Sequence, residues 1–292
     1  MHNSAHNPLT SEKGTVIELN IISYGSDARL EFAKKALAGL ESDTVNELTL
    51  LPIPSTVDGV TVFKSGENLY DLLSRLDEHS VVVGYNLPRG FIDIADEFGI
   101  KALELSWDEE FLVENARLTA VGALAKILCS EIKSPAELSI GIIGFGRIGK
   151  ELSKLLVFLG ASLSLFTSKE FAPSELCALG LCGVSVLPYR ELTEEENCRK
   201  SFDGLDLLIN TAPNKIIAGG AAGFENKPRL IELASGDNFP SGIEYERLAA
   251  LPAKMYPESA GKAIANSLMR FIESPHPRSA PDGNTPKKGN TI

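Results

Sequence analysis

Hydrophobic and polar positions along the first part of the chain follow two periods, one typical of strands and the other of helices. Continuous apolar runs predict buried strands at 16–23, 45–51, 81–85 and 102–105. Helix-face spacing predicts helices at 27–40, 65–76 and 91–98. An alternation of strand and helix predicts a parallel sheet with right-handed crossovers.

A second pattern of the same kind follows a long helical segment. Residues 108–129 are rich in small side chains at helical spacing, and Ser134-Pro135 ends the segment. Strands are predicted next at 140–143, 162–166, 184–187, 205–210 and 230–233, and a final helix at 258–272. The predicted fold class is therefore α/β, with two doubly wound parallel-sheet domains joined by long helices.

The domain boundaries follow from these segments. Residues 1–14 and 274–292 lack apolar periodicity and are predicted to be a disordered leader and a disordered tail. The ordered parts are a first domain over 15–110 that includes the C-terminal helix 258–273, an inter-domain helix over 111–133, and a second domain over 134–256.

The turn between the strand at 140–143 and the helix after it carries the clearest chemical signal. It contains Gly144, Phe145, Gly146, Arg147, Ile148 and Gly149. In this context G-x-G-x-x-G predicts a dinucleotide-binding turn of the Rossmann and flavodoxin-like folds. Gly144 would permit the tight turn, Gly146 would let the backbone approach a pyrophosphate, and Gly149 would let the helix pack on the strand. The alternative is a glycine-rich turn that binds nothing.

The tip of the next predicted strand bears on which nicotinamide cofactor is bound. NAD enzymes usually place a carboxylate there, which holds the ribose 2′-hydroxyl. Here the tip reads Thr167-Ser168-Lys169, and its hydroxyls and ammonium suit a 2′-phosphate. We therefore predict NADP(H), with Glu170 leaving NAD(H) as the alternative.

Two further turns follow predicted strands and are expected at the carboxyl edge of the sheet, where such sheets bind ligands. They contain Asn210, Thr211 and Ala212, and Ala234 and Ser235. The predicted cofactor-binding residues are therefore Gly144, Phe145, Gly146, Arg147, Ile148, Thr167, Ser168, Lys169, Asn210, Thr211, Ala212, Ala234 and Ser235. The alternative for both turns is an ordinary connection, and Arg147 either faces the pyrophosphate or caps the helix.

Composition and charge exclude several classes of protein. The chain has 292 residues, a net charge of −11 and a pI near 5.0, which argues against broad electrostatic binding of nucleic acid. No apolar run reaches membrane-spanning length and residues 1–14 lack a signal-peptide core, so we expect a cytoplasmic protein with reduced thiols. The cysteines show no zinc-ligand spacing, and no metal site is predicted. Only His79 falls inside a predicted domain, which argues against a histidine general base.

Six short motifs carry a resemblance: Gly25-Ser26-Asp27-Ala28-Arg29, Leu51-Pro52-Ile53-Pro54-Ser55-Thr56, Gly144-Phe145-Gly146-Arg147, Ile209-Asn210-Thr211-Ala212-Pro213, Glu232-Leu233-Ala234-Ser235 and Pro257-Glu258-Ser259-Ala260-Gly261. In order and spacing they resemble motifs of the dipicolinate synthase family of spore-forming bacteria, in particular its A component. The resemblance runs from about Val16 to Ile272. The architecture also resembles that of 2-hydroxyacid dehydrogenases and adenosylhomocysteinase, with a substrate domain followed by a cofactor domain.

The resemblance implies a cytoplasmic enzyme that uses a nicotinamide cofactor to oxidise a dihydrodipicolinate-type dicarboxylate to dipicolinate during sporulation. It also implies a partner, the flavoprotein-like B component of the same synthase, and we expect a homo-oligomer. We predict substrate contacts from Asp27, Arg29, Ser55, Thr56 and Ser259, with Arg29 pairing with a carboxylate. The alternatives are a surface ion pair for Arg29 and ordinary turn caps for Ser55 and Thr56.

Two departures from the family pattern leave other functions open. Val121 stands where the family has a glutamate in its long helix, and residues 250–256 replace a glycine-rich loop of the family. Lys254 and Tyr256 are candidate proton donors, and no catalytic residue is assigned. The alternatives are a reductase of a related imine or keto acid, and a cofactor-binding regulatory or scaffold protein that has lost catalysis.

Overall fold

The chain divides into two compact units. A computed structural model describes residues 17–217 and 228–273. The first unit spans Met1–Trp107 and Ile264–Ile292, and the second spans Asp108–Ala263. The predicted leader and tail lie outside the described residues. Among the residues described, no helix is both long and apolar enough to cross a membrane.

The first unit contains a small antiparallel ribbon and a parallel sheet. The strands of the unit in chain order are β1 (Ile17–Glu18), β2 (Asn20–Ser23), β3 (Glu41–Ser42), β4 (Glu47–Leu50), β5 (Ser80–Gly84) and β6 (Lys101–Glu104). β1 pairs with β3 to form the ribbon. The parallel sheet has the order β2-β4-β5-β6, so its strands lie side by side in chain order. The strand predicted at 16–23 is thus divided between β1 and β2.

Helices α1 (Ala28–Leu37) and α2 (Arg89–Glu97) connect strands of this sheet. Their buried faces, including Leu30 and Phe91, pack into the core of the unit. The helix predicted at 65–76 is wrong over its first half, because only Tyr70–Arg75 forms a short 3-10 helix. Gly66 has a φ of +81°, which an α-helix does not allow, and the Asn68 side chain accepts a hydrogen bond from the Tyr70 N–H.

The second unit contains a six-stranded parallel sheet. Its strands are β7 (Ser139–Ile143), β8 (Ser162–Thr167), β9 (Ser185–Pro188), β10 (Leu207–Asn210), β11 (Arg229–Glu232) and β12 (Glu246–Arg247). Their order in the sheet is β9-β8-β7-β10-β11-β12. The chain therefore moves outward from β7 to β9, returns, and moves outward again from β10. This reversal between β7 and β10 defines a doubly wound sheet, and ligands bind beside it in such folds.

The helices of the remaining chain are α3 (Glu109–Ser130), α4 (Arg147–Phe158), α5 (Pro173–Ala178), α6 (Glu195–Phe202), α7 (Leu251–Met255) and α8 (Pro257–Glu273). Further 3-10 helices lie at Leu105–Trp107, Pro135–Glu137 and Tyr189–Leu192. The Asp108 side chain caps α3 by accepting hydrogen bonds from the Glu110 and Phe111 N–H groups. α3 corresponds to the helix predicted over 111–133 and belongs to the second unit, whereas α8 is divided between the units at Ile264.

The cysteines differ from the expectation of reduced thiols. Cys177 of α5 and Cys182 of the following turn form a disulfide, so the expectation is wrong for this pair. Helix α5 ends at Ala178 and the chain turns back immediately, which brings the two Cα atoms to 4.3 Å. Cys129 and Cys198 lie outside this disulfide, and Cys198 is buried in the core.

Candidate functional site

The glycine turn after β7 has the geometry that its motif predicts. Gly144 has a φ of +100°, a conformation that favours glycine. A Cβ on Gly144 would lie 2.7 Å from the Thr211 hydroxyl, and one on Gly149 would lie 2.2 Å from the Gly144 carbonyl oxygen. Both glycines are therefore needed because strand, helix and the turn after β10 pack closely together.

Gly146 differs from the other two glycines of the motif. It is exposed and is the N-cap residue of α4, where it has no side chain to satisfy the first N–H groups of the helix. Among the described residues, no atom outside its immediate chain neighbours lies within 4 Å of the position that a Cβ would occupy. The first turn of α4 is thus open to an anion, and the N-terminus of a helix favours negative charge.

The other residues of the turn are divided between packing and ion pairing. Phe145 is buried and meets the Phe171 ring edge to face at a centroid distance of 5.1 Å. Ile148 is half-buried against the core. Arg147 is exposed and donates from Nε to Glu109 at 2.9 Å, with a second hydrogen bond from Nη2 to the same carboxylate. The hydrogen bonds from Arg147 hold the pKa of Glu109 below its ordinary value.

The tip of β8 presents one exposed cation. The Thr167 side chain is buried, and its hydroxyl accepts a hydrogen bond from the Lys169 N–H at 3.2 Å. Ser168 and Lys169 follow it on the surface, as does Glu170. Thr167 therefore shapes the turn, whereas the Ser168 hydroxyl and the Lys169 ammonium are the exposed polar groups that a 2′-phosphate would meet.

The turn after β10 uses its polar side chains internally. The Asn210 amide donates from Nδ2 to the Ala212 carbonyl oxygen at 2.9 Å and to both oxygens of Glu232, and its Oδ1 accepts from the Ala212 N–H. The Thr211 hydroxyl donates to the Ile143 carbonyl oxygen at 2.9 Å and lies 3.2 Å from that of Gly144. The predicted residues Asn210 and Thr211 thus hold their own turn against β11 and against the glycine turn.

Glu232 is a residue whose role the sequence did not reveal. It ends β11, is fully buried, and accepts hydrogen bonds on Oε1 from Asn210 and from the Ala234 N–H, each at 2.9 Å. Burial raises the pKa of the Glu232 carboxyl, and these hydrogen bonds offset only part of that effect. In the sequence Glu232 is a carboxylate at the end of an apolar strand and the first residue of the motif Glu232-Leu233-Ala234-Ser235, but neither signal predicted that it holds the neighbouring turns. Of the residues predicted beside it, Ala234 is half-buried and Ser235 is exposed.

In the first unit, Asp27 and Arg29 bind each other. Their side chains are 7% and 6% exposed, and Arg29 donates to Asp27 from both Nε and Nη2. Arg29 also donates to the Ile53 carbonyl oxygen at 2.8 Å, while Asp27 accepts from the Ile53 N–H at 3.2 Å. Burial raises the pKa of Asp27, but hydrogen bonding and charge from Arg29 outweigh burial and lower it. The pair thus fixes the loop after β4 to the start of α1.

The hydroxyls predicted in that loop also have partners inside it. Ser55 is fully buried, donates to the Pro52 carbonyl oxygen at 3.1 Å and accepts from the Tyr85 N–H at 2.8 Å. Thr56 donates to Asp58 at 3.0 Å and accepts from the Gly59 N–H. The peptide bond between Ile53 and Pro54 is cis. These contacts match the alternative interpretation of Ser55 and Thr56 as turn-stabilising residues.

The remaining candidates lie in and around α7. The segment predicted as a loop is helical over Leu251–Met255, and Ala250 before it has a φ of +56°. Lys254 and Ser259 are exposed, and Tyr256 is half-buried. Gly122 of α3 lets this segment approach, since a Cβ there would lie 3.1 Å from Leu251 Cβ and 3.6 Å from the Tyr256 ring. Tyr256 therefore lies against Gly122, the residue that follows Val121 in α3.

Solved structures share this fold. The A component of dipicolinate synthase from Bacillus halodurans matches with a TM-score of 0.68 at 18% identity, over 89% of this chain and 99% of that one. Its counterpart from Bacillus subtilis matches with 0.69 at 18% identity, over 87% and 96%. Transhydrogenase from Sinorhizobium meliloti matches with 0.57 at 16% identity, over 88% and 92%. No protein-family model and no curated protein matches the sequence. The predicted α/β fold and its resemblance to dipicolinate synthase are confirmed as a likeness of fold.

The close packing of the glycine turn predicts a contrast between two alanine substitutions. Gly149→Ala should lower the free energy of unfolding by about 2–3 kcal/mol, because its Cβ would overlap backbone atoms. Gly146→Ala is the matched control, since its φ of −79° suits alanine and only the N-cap preference changes, at a cost of about 1 kcal/mol or less. Urea unfolding of both variants measures the difference. Equal losses would contradict the packing described here.

The buried ion pair predicts a pH-dependent loss of stability. Arg29→Ala leaves a buried carboxylate without its cation and should lower the free energy of unfolding near neutral pH by about 3–5 kcal/mol. Since Arg29 lowers the folded-state pKa of Asp27, the stabilisation is present above the ordinary aspartate pKa of 3.8 and is lost as pH falls through the folded pKa. Thermal unfolding across this range should show the variant approaching the wild type in acid.

The control for this prediction is Arg75→Ala in the same unit. Arg75 pairs with Glu67, and the two side chains are 58% and 39% exposed. Removing this exposed pair should leave stability nearly unchanged at every pH. A loss for Arg29→Ala that persists undiminished in acid would argue that packing, rather than the charge of Asp27, makes the contribution.

Proposed function

We propose that this chain is an NADP-dependent oxidoreductase that oxidises a dihydrodipicolinate-type heterocyclic dicarboxylate to dipicolinate. The observation that carries the proposal is the open first turn of α4, which Gly146 leaves uncovered at the reversal of a doubly wound sheet. The likeness of fold to the A component of dipicolinate synthase supports the choice of substrate class.

The residues around this turn fit a dinucleotide. A pyrophosphate would be held by the first N–H groups of α4 and by backbone at Gly146, where a side chain would occupy the same space. Exposed Lys169 at the tip of β8 would pair with a 2′-phosphate, together with the Ser168 hydroxyl. No carboxylate occupies that tip before Glu170, which is why we propose NADP(H) over NAD(H).

The proposed reaction needs little general acid or base catalysis from the protein. A bound nicotinamide supplies the hydride acceptor. A ring C–H bond of the dihydropyridine breaks with loss of hydride, a ring proton is also released, and the products are dipicolinate, NADPH and a proton. Because the product is aromatic, we expect the positioning of substrate and cofactor to contribute more to the reaction rate than a strong general base would. The chain would hold the substrate ring and the cofactor in the orientation needed for hydride transfer. Lys254 and Tyr256 are the candidate proton acceptors or donors.

In this proposal the polar residues of the first unit act on the substrate indirectly, by holding the loop after β4 in one conformation. Asp27 and Arg29 bind each other and Ile53, so they would fix the loop after β4 around the ligand. We propose the same positioning role for Ser55 and Thr56. Ser259 stays a candidate for direct contact because it is exposed at the start of α8. A flavoprotein-like partner, self-association and a cytoplasmic location belong to the same proposal.

A second candidate is a cofactor-binding regulatory protein without catalysis. Two observations favour it: Val121 replaces the glutamate of the family pattern, and Arg29 already has a carboxylate partner in Asp27. Both candidates bind the cofactor, so turnover distinguishes them. A reductase of a related imine or keto acid is a further alternative, favoured by the changed segment 250–256.

Cofactor binding is expected to prefer the phosphorylated form. In fluorescence titrations the full-length protein should bind NADPH about tenfold more tightly than NADH, as a charge-assisted contact to the 2′-phosphate predicts. Gly146→Ala should weaken both by at least about tenfold, because its Cβ would occupy the phosphate space. Gly90→Ala in α2 is the matched control, since its Cβ would meet only Tyr70 Oη, at 3.7 Å.

The Lys169→Ala variant tests whether Lys169 causes the expected preference for NADPH over NADH. This variant should bind NADPH and NADH with similar affinity, whereas Lys154→Ala on α4, which removes a cation paired with Glu151, should keep the wild-type preference. Tighter binding of NADH by the wild type would refute the assignment of NADP(H).

Turnover is the decisive measurement for the substrate. Incubation of the full-length protein with dihydrodipicolinate and NADP⁺ should produce NADPH fluorescence and dipicolinate in equal amounts, with or without an added flavoprotein-like partner. Consumption of NADPH with an imine or keto acid instead would favour the reductase. Tight cofactor binding with no turnover under any of these conditions would favour the regulatory protein.

A further inference from the structure

The buried carboxylate at the end of β11 has no part in the function proposed above. We infer that Glu232 is a positioning residue that holds the turn Asn210–Ala212 in the shape required beside the nicotinamide half of the cofactor. The inference rests on the proposed function, because it assigns that turn to one half of the bound dinucleotide.

The hydrogen bonds of Asn210 make Glu232 the anchor of this turn. One end of the Asn210 amide binds both the Ala212 carbonyl oxygen and the Glu232 carboxylate, and the other end accepts from the Ala212 N–H. The amide therefore bridges the turn to β11 with no donor left over for a ligand. Glu232 also accepts from the Ala234 N–H, so the same carboxylate fixes the starts of the turns after β10 and β11.

The sheet order assigns this anchor to one half of the cofactor. Strands β7, β8 and β9 form one half of the doubly wound sheet, and β10, β11 and β12 form the other. The glycine turn and the tip of β8 belong to the first half, which takes the pyrophosphate and the adenosine side. Asn210 and Glu232 end adjacent strands of the second half, paired at the same register. An effect of Glu232 should therefore fall on the nicotinamide side.

Binding of a cofactor fragment that lacks nicotinamide distinguishes a positioning role at the nicotinamide end from a general loss of the folded structure. The full-length wild type should bind both NADPH and 2′-phospho-ADP-ribose. Glu232→Ala should raise the dissociation constant of NADPH about tenfold and leave that of 2′-phospho-ADP-ribose within about twofold of the wild type. Glu232→Gln keeps an oxygen for Asn210 and Ala234 and should restore NADPH binding to within about threefold of the wild-type value.

The matched control is a carboxylate at the opposite end of β10. Asp206 precedes that strand, accepts from the Ser139 N–H at 2.9 Å and pairs with Lys133. Asp206→Ala should lower the melting temperature but leave both dissociation constants unchanged. If Glu232→Ala does not fold, Asn210→Ala replaces it and should give the same difference between the two ligands.

The outcomes separate the two proposals. Equal weakening of both ligands by Glu232→Ala, or of neither, would overturn the positioning role while the wild type still binds NADPH. Failure of Glu232→Gln to restore binding would also count against it, because the same hydrogen-bond acceptor is present. A wild type that binds neither ligand would overturn the proposed function and this inference together.

Discussion

Contact between the glycine turn and the turn after β10 is the constraint on which the second unit depends. Gly144 and Gly149 have no room for a Cβ, and the Thr211 hydroxyl closes the contact by donating to the Ile143 carbonyl. Backbone of the two turns and of α4 therefore meets closely, and the Thr211 side chain lies at the contact. This contact fixes the N-terminus of α4 at the edge of the sheet, and with it the direction of the helix dipole and of the first N–H groups. Gly146 can stay uncovered because its neighbours already determine the position of the turn.

Carboxylates play a related part at the carboxyl-terminal edges of both parallel sheets. Glu104 ends β6 and accepts from the N–H groups of Asn86, Leu87 and Ser106, at 2.9, 2.6 and 2.8 Å. Asp27 and Glu232 hold loops in the same way. Backbone N–H groups in turns lack the partners that a sheet provides, and an ionised carboxylate accepts several of them strongly. Some of the acidic residues that give the chain its net charge of −11 thus shape loops rather than face solvent.

The sequence was most informative where one local rule determines the structure. Except for β12, which was not predicted, the strands of both parallel sheets follow from periodicity, as do α1, α3, α4 and α8. The glycine motif predicted a tight turn, and Gly144 has the positive φ that such a turn requires. Short helices α5, α6 and α7 were not predicted, because each contains too few residues for a period to be recognised. The contacts of side chains could not be predicted in this way. Asn210, Ser55 and Arg29 were chosen for their chemistry, but whether a polar group faces a ligand or a neighbouring loop depends on tertiary contacts that no local pattern contains.

The difference between backbone geometry and side-chain contacts also explains why cofactor binding and substrate binding must be considered separately for this chain. Phosphates are recognised by backbone N–H groups and a helix terminus, which tolerate wide change in side chains, so a short glycine motif is informative. A dicarboxylate needs cations, and the guanidinium of Arg29 is already neutralised by Asp27 through two donors. A substrate carboxylate would have to compete with Asp27 for Arg29 or find its cation elsewhere. A glycine turn of this kind can therefore be kept while the loop that Asp27 and Arg29 hold changes, so binding of NADPH tests the proposed cofactor site and not the proposed substrate site.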